Sequence, residues 1–233
     1  GKLLDEENVT MLDMVNAYGG DDQKFVFHEV DKTQRHGGRE IYVMSMETKT
    51  FCWPLEQFFH YLCTFLDNEL ISIPSNKRLY TIHSRLFERS VQREQVKYFL
   101  TLDCRRWGPM SVFLKYTYMI LGTAEVLPKS LVQLMLYVTK KYFEKEIYIS
   151  PKSFEVFIKN AKNKKYASFF EDLDTCPHFN MPYSFIMGIF NYLSSMMHAL
   201  NQIDATRRIC KRINRDNDAN FSFYMDAHSD EQW

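Results

Sequence analysis

The 233-residue chain is 45% hydrophobic and 25% charged, a balance that excludes disordered, collagen-like and coiled-coil classes. Its Lys+Arg 29 and Asp+Glu 29 cancel, so bulk charge does not make it a polyanion binder and any grip on nucleic acid must be local. Apolar stretches such as FIMGIF at 185–190 fall well short of the ~20 residues a membrane helix needs. The five cysteines include no C-x-x-C pair, which suits a reduced intracellular chain better than a disulfide framework or a zinc site.

Residues 24–31 (KFVFHEVD) and 39–46 (REIYVMSM) alternate apolar and polar side chains and read as strands. Gly37 and Gly38 allow a turn between them. From Lys49 to about Leu70 the apolar residues follow helical spacing, with Pro54 in the first turn or at a kink. SIPSNK (72–77) is a turn, and 84–97 is compatible with a helix. VKYFLTLD (96–103) reads as a buried strand ending at Asp103, and GPM (108–110) opens a helix to about Leu121. Helices follow at 129–144 and at 151–161, the latter with Pro151 in its first position. The basic run 159–165 leads into an irregular stretch through Pro177 and Pro182. A long helix is expected from about Tyr183 past Ile203, toward Asn214, and then a strand at 221–226 (FSFYMD). Strands among many helices predict an α+β, helix-rich fold, with α/β as the other arrangement the pattern allows.

Two acidic features, three residues in all, are the candidates for chemistry. Asp103 ends one apolar strand, and Asp230 and Glu231 follow another. Strand ends are rigid mounts, and three carboxylates brought together would repel unless a hard divalent cation such as Mg²⁺ or Mn²⁺ joined them. The plainer reading is that an aspartate after a strand is a turn residue or helix cap. Lys32, Arg35 and Arg39 flank the strand–turn–strand and could bind phosphate, or form a solvated hairpin tip neutralised by Glu29, Asp31 and Glu40. Asn191, Ser194 and Ser195 share one face of the long helix, where an amide and hydroxyls can hydrogen-bond a ribose 2′-OH, or simply pack closely. The basic stretch 207–215 reads either as an RNA-phosphate contact or as a solvated helix end.

Taken together, REIYVMSMET, LDCRRWGPMS, GIFNYLSSMMH and HSDE resemble the RNA-dependent RNA polymerase core of segmented negative-strand RNA viruses, most of all the large (L) protein of bunyaviruses. The motifs occur in the family's order and span roughly residues 24–231. The resemblance implies a right-hand polymerase palm with part of the fingers, ending before the palm and thumb are complete. Residues 1–95 would be fingers-like and 96–233 palm, with a fingers insertion at about 129–182.

By that resemblance Asp103, in Asp103-Cys104-Arg105-Arg106-Trp107, binds catalytic metal, with arginine at 106 where lysine is usual. Gly188, Asn191, Ser194 and Ser195 correspond to the stretch that contacts template and incoming sugar, with Met187 in place of a glutamine. Ser229-Asp230-Glu231 stands for the Ser-Asp-Asp turn, and Glu231 keeps the charge while reaching one methylene further. Lys32, Arg35, Arg39 and Arg106 would hold NTP phosphates. The implied activity is two-metal, template-directed RNA synthesis with Mg²⁺ or Mn²⁺, acting on RNA template, product and nucleoside triphosphates. The implied partners are the rest of the L protein and viral nucleoprotein–RNA, in host cytoplasm and virion. Two other readings compete: a metal-dependent nuclease using Lys32 or Lys97, and a non-catalytic helical interaction module.

Overall fold

The computed structural model describes residues 13, 20, 23–32, 39–90, 112–186, 188–217 and 221–227. They fall into two compact units drawn from Gly1–Leu55 with Gly108–Ile189, and from Glu56–Trp107 with Phe190–Trp233. Both units are discontinuous in sequence.

The first unit is built on a four-stranded mixed sheet. Strands β1 (Val26–Lys32) and β2 (Arg39–Met44) pair antiparallel, from Phe27↔Met44 to Lys32↔Arg39. This is the expected hairpin, displaced by one or two residues at its ends. β1 also pairs in parallel with β3 (Glu146–Tyr148), which pairs antiparallel with β4 (His178–Asn180), giving the order β2-β1-β3-β4. Period-two alternation sends Phe25, Phe27 and Ile147 into the core and leaves Val30 and Val43 outside.

Helix α1 (Met46–Cys63) begins where Ser45 Oγ accepts the Thr48 N–H at 3.2 Å, a first-turn cap. The Thr48 hydroxyl oxygen in turn accepts the Val26 N–H at 2.9 Å, fastening the helix start to β1. Pro54 lies inside this helix rather than in its first turn, so the Thr50 carbonyl loses its usual N–H donor there. α1 ends at Cys63, short of the expected Leu70, because residues 64–70 turn back on themselves.

In the first unit, α3 (Leu114–Gly122) buries Tyr116 and Ile120, and α4 (Lys129–Phe143) buries Val132, Met135, Val138 and Tyr142. α5 (Pro151–Lys159) opens as expected, with Ser150 as cap and Pro151 in its first position. The core is aromatic: Phe113 and Tyr142 have ring centroids 4.0 Å apart, and Phe27 meets Tyr142 edge-on at 6.1 Å. The three-residue strand β3 occupies a segment the sequence left unassigned, and β4 lies within the stretch expected to be irregular.

The second unit contains α2 (Ser75–Ser90) and α6 (Asn191–Asn217). α2 starts nine residues before the expected 84, directly after Pro74. α6 starts eight residues later than the expected 183, for a backbone reason: Gly188 and Phe190 have φ of 82° and 57°, left-handed values that a right-handed helix cannot contain. The expected strand 221–226 has no ladder; only Ala227 pairs, with Glu69, in an isolated parallel bridge. Among the described residues no helix is long and apolar enough to cross a membrane.

One buried charge in the first unit has no exposure at all. Lys145 Nζ donates to the carbonyl oxygens of Tyr142 (3.1 Å) and Pro182 (3.3 Å) and lies 4.2 Å from the Tyr142 ring centroid. Burial pushes its ammonium down from 10.5 to about 7. Between those values the unfolded chain holds a proton that the folded chain lacks, so this group makes stability rise with pH across that window, by at most about 1.4 kcal/mol per pH unit. Urea unfolding at about pH 7 and about pH 9.5 should therefore show a smaller alkaline gain for Lys145→Met than for wild type; equal gains would refute the assignment.

Candidate functional site

The described motif residues lie at the start of α6 and just before it. Gly188 takes a φ of 82° that a side chain would strain, with open space around its Cα, so backbone conformation rather than crowding calls for glycine. Phe190, also left-handed and 2% exposed, then turns the chain into the helix. The Tyr192 N–H donates to Glu56 Oε1 at 2.9 Å, so a carboxylate distant in sequence satisfies one donor of the helix N-terminus.

Three residues on one helix face then separate by environment. Asn191 is half-buried, and its Oδ1 is shielded from solvent with no hydrogen-bond donor among the described residues. Ser194 and Ser195 are each 1% exposed. The Ser195 hydroxyl donates a short hydrogen bond to Glu69 Oε1, so its proton is committed inside the fold.

Glu69 is the residue that sequence reading missed. It is 1% exposed and accepts from the Ile71 N–H (2.8 Å) and Ser72 N–H (2.9 Å) as well as from Ser195. Its neighbours extend the contact. Asn68 donates from its side-chain amide to the Ala199 carbonyl at 3.0 Å, one turn beyond Ser195. Asn68 O accepts the Ala227 N–H (2.6 Å), and the Leu70 N–H donates to Ala227 O (3.0 Å). Arg78 holds the same stretch from below, donating to Leu70 O at 2.9 Å and to Ile71 O and Ile73 O at 3.2 Å. Arg85 pairs with Asp226 at 3.0 Å. The one signal in sequence was a short polar run, Asp67-Asn68-Glu69, set between apolar Leu66 and Leu70-Ile71.

The electrostatics follow from burial beside acids. Burial, with the charges of Glu69 and Glu56 added, pushes the Cys63 thiol up, and its Sγ donates to Tyr192 O at 3.4 Å. The Tyr192 phenol is raised for the same reasons, burial first. Cys63 is therefore a buried packing thiol and not a nucleophile.

Of the other expected site residues, Lys32 and Arg39 face one another as the terminal backbone pair of the β1–β2 hairpin. Arg35, Asp103, Arg106, Asp230 and Glu231 lie outside the described residues, as does the expected strand 96–103. Among the described residues, no group of three or more His, Cys, Asp or Glu side chains could hold a metal ion. The basic stretch 207–215 is exposed helix, in which Arg208 pairs with Asp204 (2.8 Å) and Arg212 with Asp216 (3.7 Å). Such exposed i,i+4 pairs neutralise charge locally and add little stability.

The run Gly188-x-x-Asn191-x-x-Ser194-Ser195, ahead in sequence of Ser229-Asp230-Glu231, resembles viral RNA polymerase sequences. It belongs to the Bunyavirus RNA dependent RNA polymerase family, whose model matches residues 2–232. It is also similar to the RNA-directed RNA polymerase L of European mountain ash ringspot-associated virus (isolate Sorbus aucuparia), at 24% identity over 177 residues. That match covers 71% of this chain and 8% of the relative, so the chain corresponds to a small part of that protein's length.

The bonds around Glu69 set a stability test. Glu69→Ala strands the Ile71, Ser72 and Ser195 donors in the interior and should destabilise the chain by about 3 kcal/mol, whereas Ser195→Ala should cost about 1 kcal/mol. Denaturant midpoints measure both, and the two variants costing the same would show that Glu69 is not where these bonds meet.

Proposed function

We propose that the chain is part of the catalytic core of a viral RNA polymerase, a palm with part of the fingers, that synthesises RNA on an RNA template from nucleoside triphosphates. The observation that carries this reading is the meeting at Asn68-Glu69-Leu70 of two motif-bearing elements. One is the helix with Asn191, Ser194 and Ser195; the other is the segment through Ala227 that leads into Ser229-Asp230-Glu231. A nuclease or a passive interaction module gives no reason for these two to be fastened together. Membership of the polymerase family supports the same choice.

The donor set Asp103, Asp230 and Glu231 consists of carboxylate oxygens only, a chemistry that fits Mg²⁺ or Mn²⁺ and not zinc or copper. These three residues would hold two ions, which when bound lower the charge barrier at the transferring phosphate. The chain's own groups do the rest. Lys32, Arg35, Arg39 and Arg106 bind the triphosphate and offset charge as the primer 3′-OH attacks the α-phosphate and pyrophosphate leaves. Asn191, half-buried at the start of α6, hydrogen-bonds the 2′-OH of the incoming ribose through its side-chain amide. Gly188 allows close backbone approach, and Ser194 and Ser195 set the helix. The rest of an L protein and nucleoprotein-coated RNA would be the partners, in host cytoplasm and virion.

Calorimetric Mn²⁺ titration of the chain tests the metal set. Wild type should bind saturably, and Asp103→Asn and Asp230→Asn should each abolish that binding; indifference to both substitutions would sink the reading. A second expectation concerns sugar choice. In a polymerase carrying this chain, Asn191→Ala should lower the preference for NTP over 2′-deoxy-NTP about fivefold, the worth of one hydrogen bond, as read by single-nucleotide incorporation.

A further inference from the structure

We propose that Glu69 is a positioning residue for the polymerase site: a buried cross-brace that sets the Asn191–Ser195 turn of α6 and the segment through Ala227, which in sequence leads to Asp230, in one frame. The inference rests on the polymerase reading and adds to it a residue that none of the family's motifs quoted above contains. Its evidence lies wholly within the second unit.

The brace has a definite construction. Two consecutive residues reach α6 at successive turns, Glu69 to Ser195 and Asn68 to Ala199. Asn68 and Leu70, on either side of Glu69, bracket Ala227 with two main-chain bonds, of 2.6 and 3.0 Å. Ala227 is fully buried and stands three residues before Asp230. Upstream, Asn214 closes the return from α6, its side chain accepting the Phe221 N–H at 2.6 Å and donating to Phe221 O at 3.0 Å. The Arg85–Asp226 pair holds the residue immediately before Ala227.

Packing alone would not need a carboxylate here. Apolar surfaces can slide by fractions of an ångström at little cost, whereas hydrogen bonds lose strength steeply with angle and distance. A charge with both oxygens engaged therefore fixes the register of α6 against the Ala227 segment. Metal-binding carboxylates depend on such outer-shell support, and loss of it typically costs 10- to 100-fold in metal affinity or activity. The side chain closest in shape, glutamine, keeps the size but turns one acceptor into an N–H₂ group facing the donors of Ile71, Ser72 or Ser195.

The experiment uses a polymerase carrying this chain, with Glu69→Gln, Ser195→Ala, the double variant and Asp230→Asn beside wild type. Active-site titration gives the incorporation rate per competent site, and calorimetry gives Mn²⁺ affinity independently of turnover. We expect Glu69→Gln to lower both the rate per site and the Mn²⁺ affinity about tenfold, with template-RNA affinity unchanged. Ser195→Ala should move both in the same direction by less, and the double variant should be no worse than Glu69→Gln. If Glu69→Gln yields fewer competent sites with wild-type rate and wild-type Mn²⁺ affinity, the residue only holds the fold and the proposal is wrong. Should Glu69→Gln fail to fold, Ser195→Ala, which deletes one oxygen, decides the matter by the same two readouts. A fully active Asp230→Asn would instead overturn the polymerase reading itself, an outcome separable from failure of the brace.

Discussion

A carboxylate removed from water must find donors for both oxygens or give up its charge. Glu69 meets that condition, and the surrounding chain is arranged around the solution. The turn after α1 aims the Ile71 and Ser72 N–H groups back at the carboxylate, and α6 supplies the Ser195 hydroxyl. The driving force for assembling the unit is apolar: Phe59, Cys63, Leu70, Leu193 and Ala199 are buried, and a fully buried leucine is worth roughly 2–3 kcal/mol. That force is non-directional. The polar bonds supply direction, so burial decides that these elements pack and Glu69 decides at which register.

The first unit meets the same constraint with the opposite sign. Lys145 is placed on two main-chain carbonyls and over an aromatic face, and the Tyr142 hydroxyl oxygen accepts the Ile186 N–H at 2.7 Å. With the Met181 N–H on Lys145 O at 3.4 Å, the end of α4 thus holds the stretch 181–186 at several points. This stretch is poor in regular structure and would otherwise leave its backbone groups without partners. It runs directly to Gly188. A buried lysine in one unit and a buried glutamate in the other each restrain the approach to a motif, by hydrogen bonds rather than by regular secondary structure.

What could be read from the sequence follows from the range of the forces involved. The hairpin, α4 and α5 were legible because period-two alternation, a 3.6-residue stripe and a Ser150-Pro151 start are local signals. β3 and β4 were not, because three residues carry no period and gain their identity only by pairing with β1 and with each other. The late start of α6 depends on two left-handed backbone positions, of which only Gly188 has a residue type that hints at it. The motif helix was recognised by its spelling, but the partner that holds Ser195 lies 126 residues away. No pattern of spacing reports a contact of that kind.

The spelling of the motif also treats as alike three residues that the fold treats differently. Positions 191, 194 and 195 share a face, and a helix rises about 6 Å over four residues. Along that short distance the environment changes from half-buried to fully buried. Ser195, at the inner end, spends its proton on Glu69, whereas Asn191, at the outer end, is only half-buried. A polar helix face partly sunk in a core must behave this way: its inner groups have to be satisfied by protein, and only its outermost group can wait for a ligand. On the polymerase reading, the serines and the asparagine are then one device with two duties. The inner hydroxyl fixes the helix, and with it the position of the half-buried Asn191 amide one turn earlier.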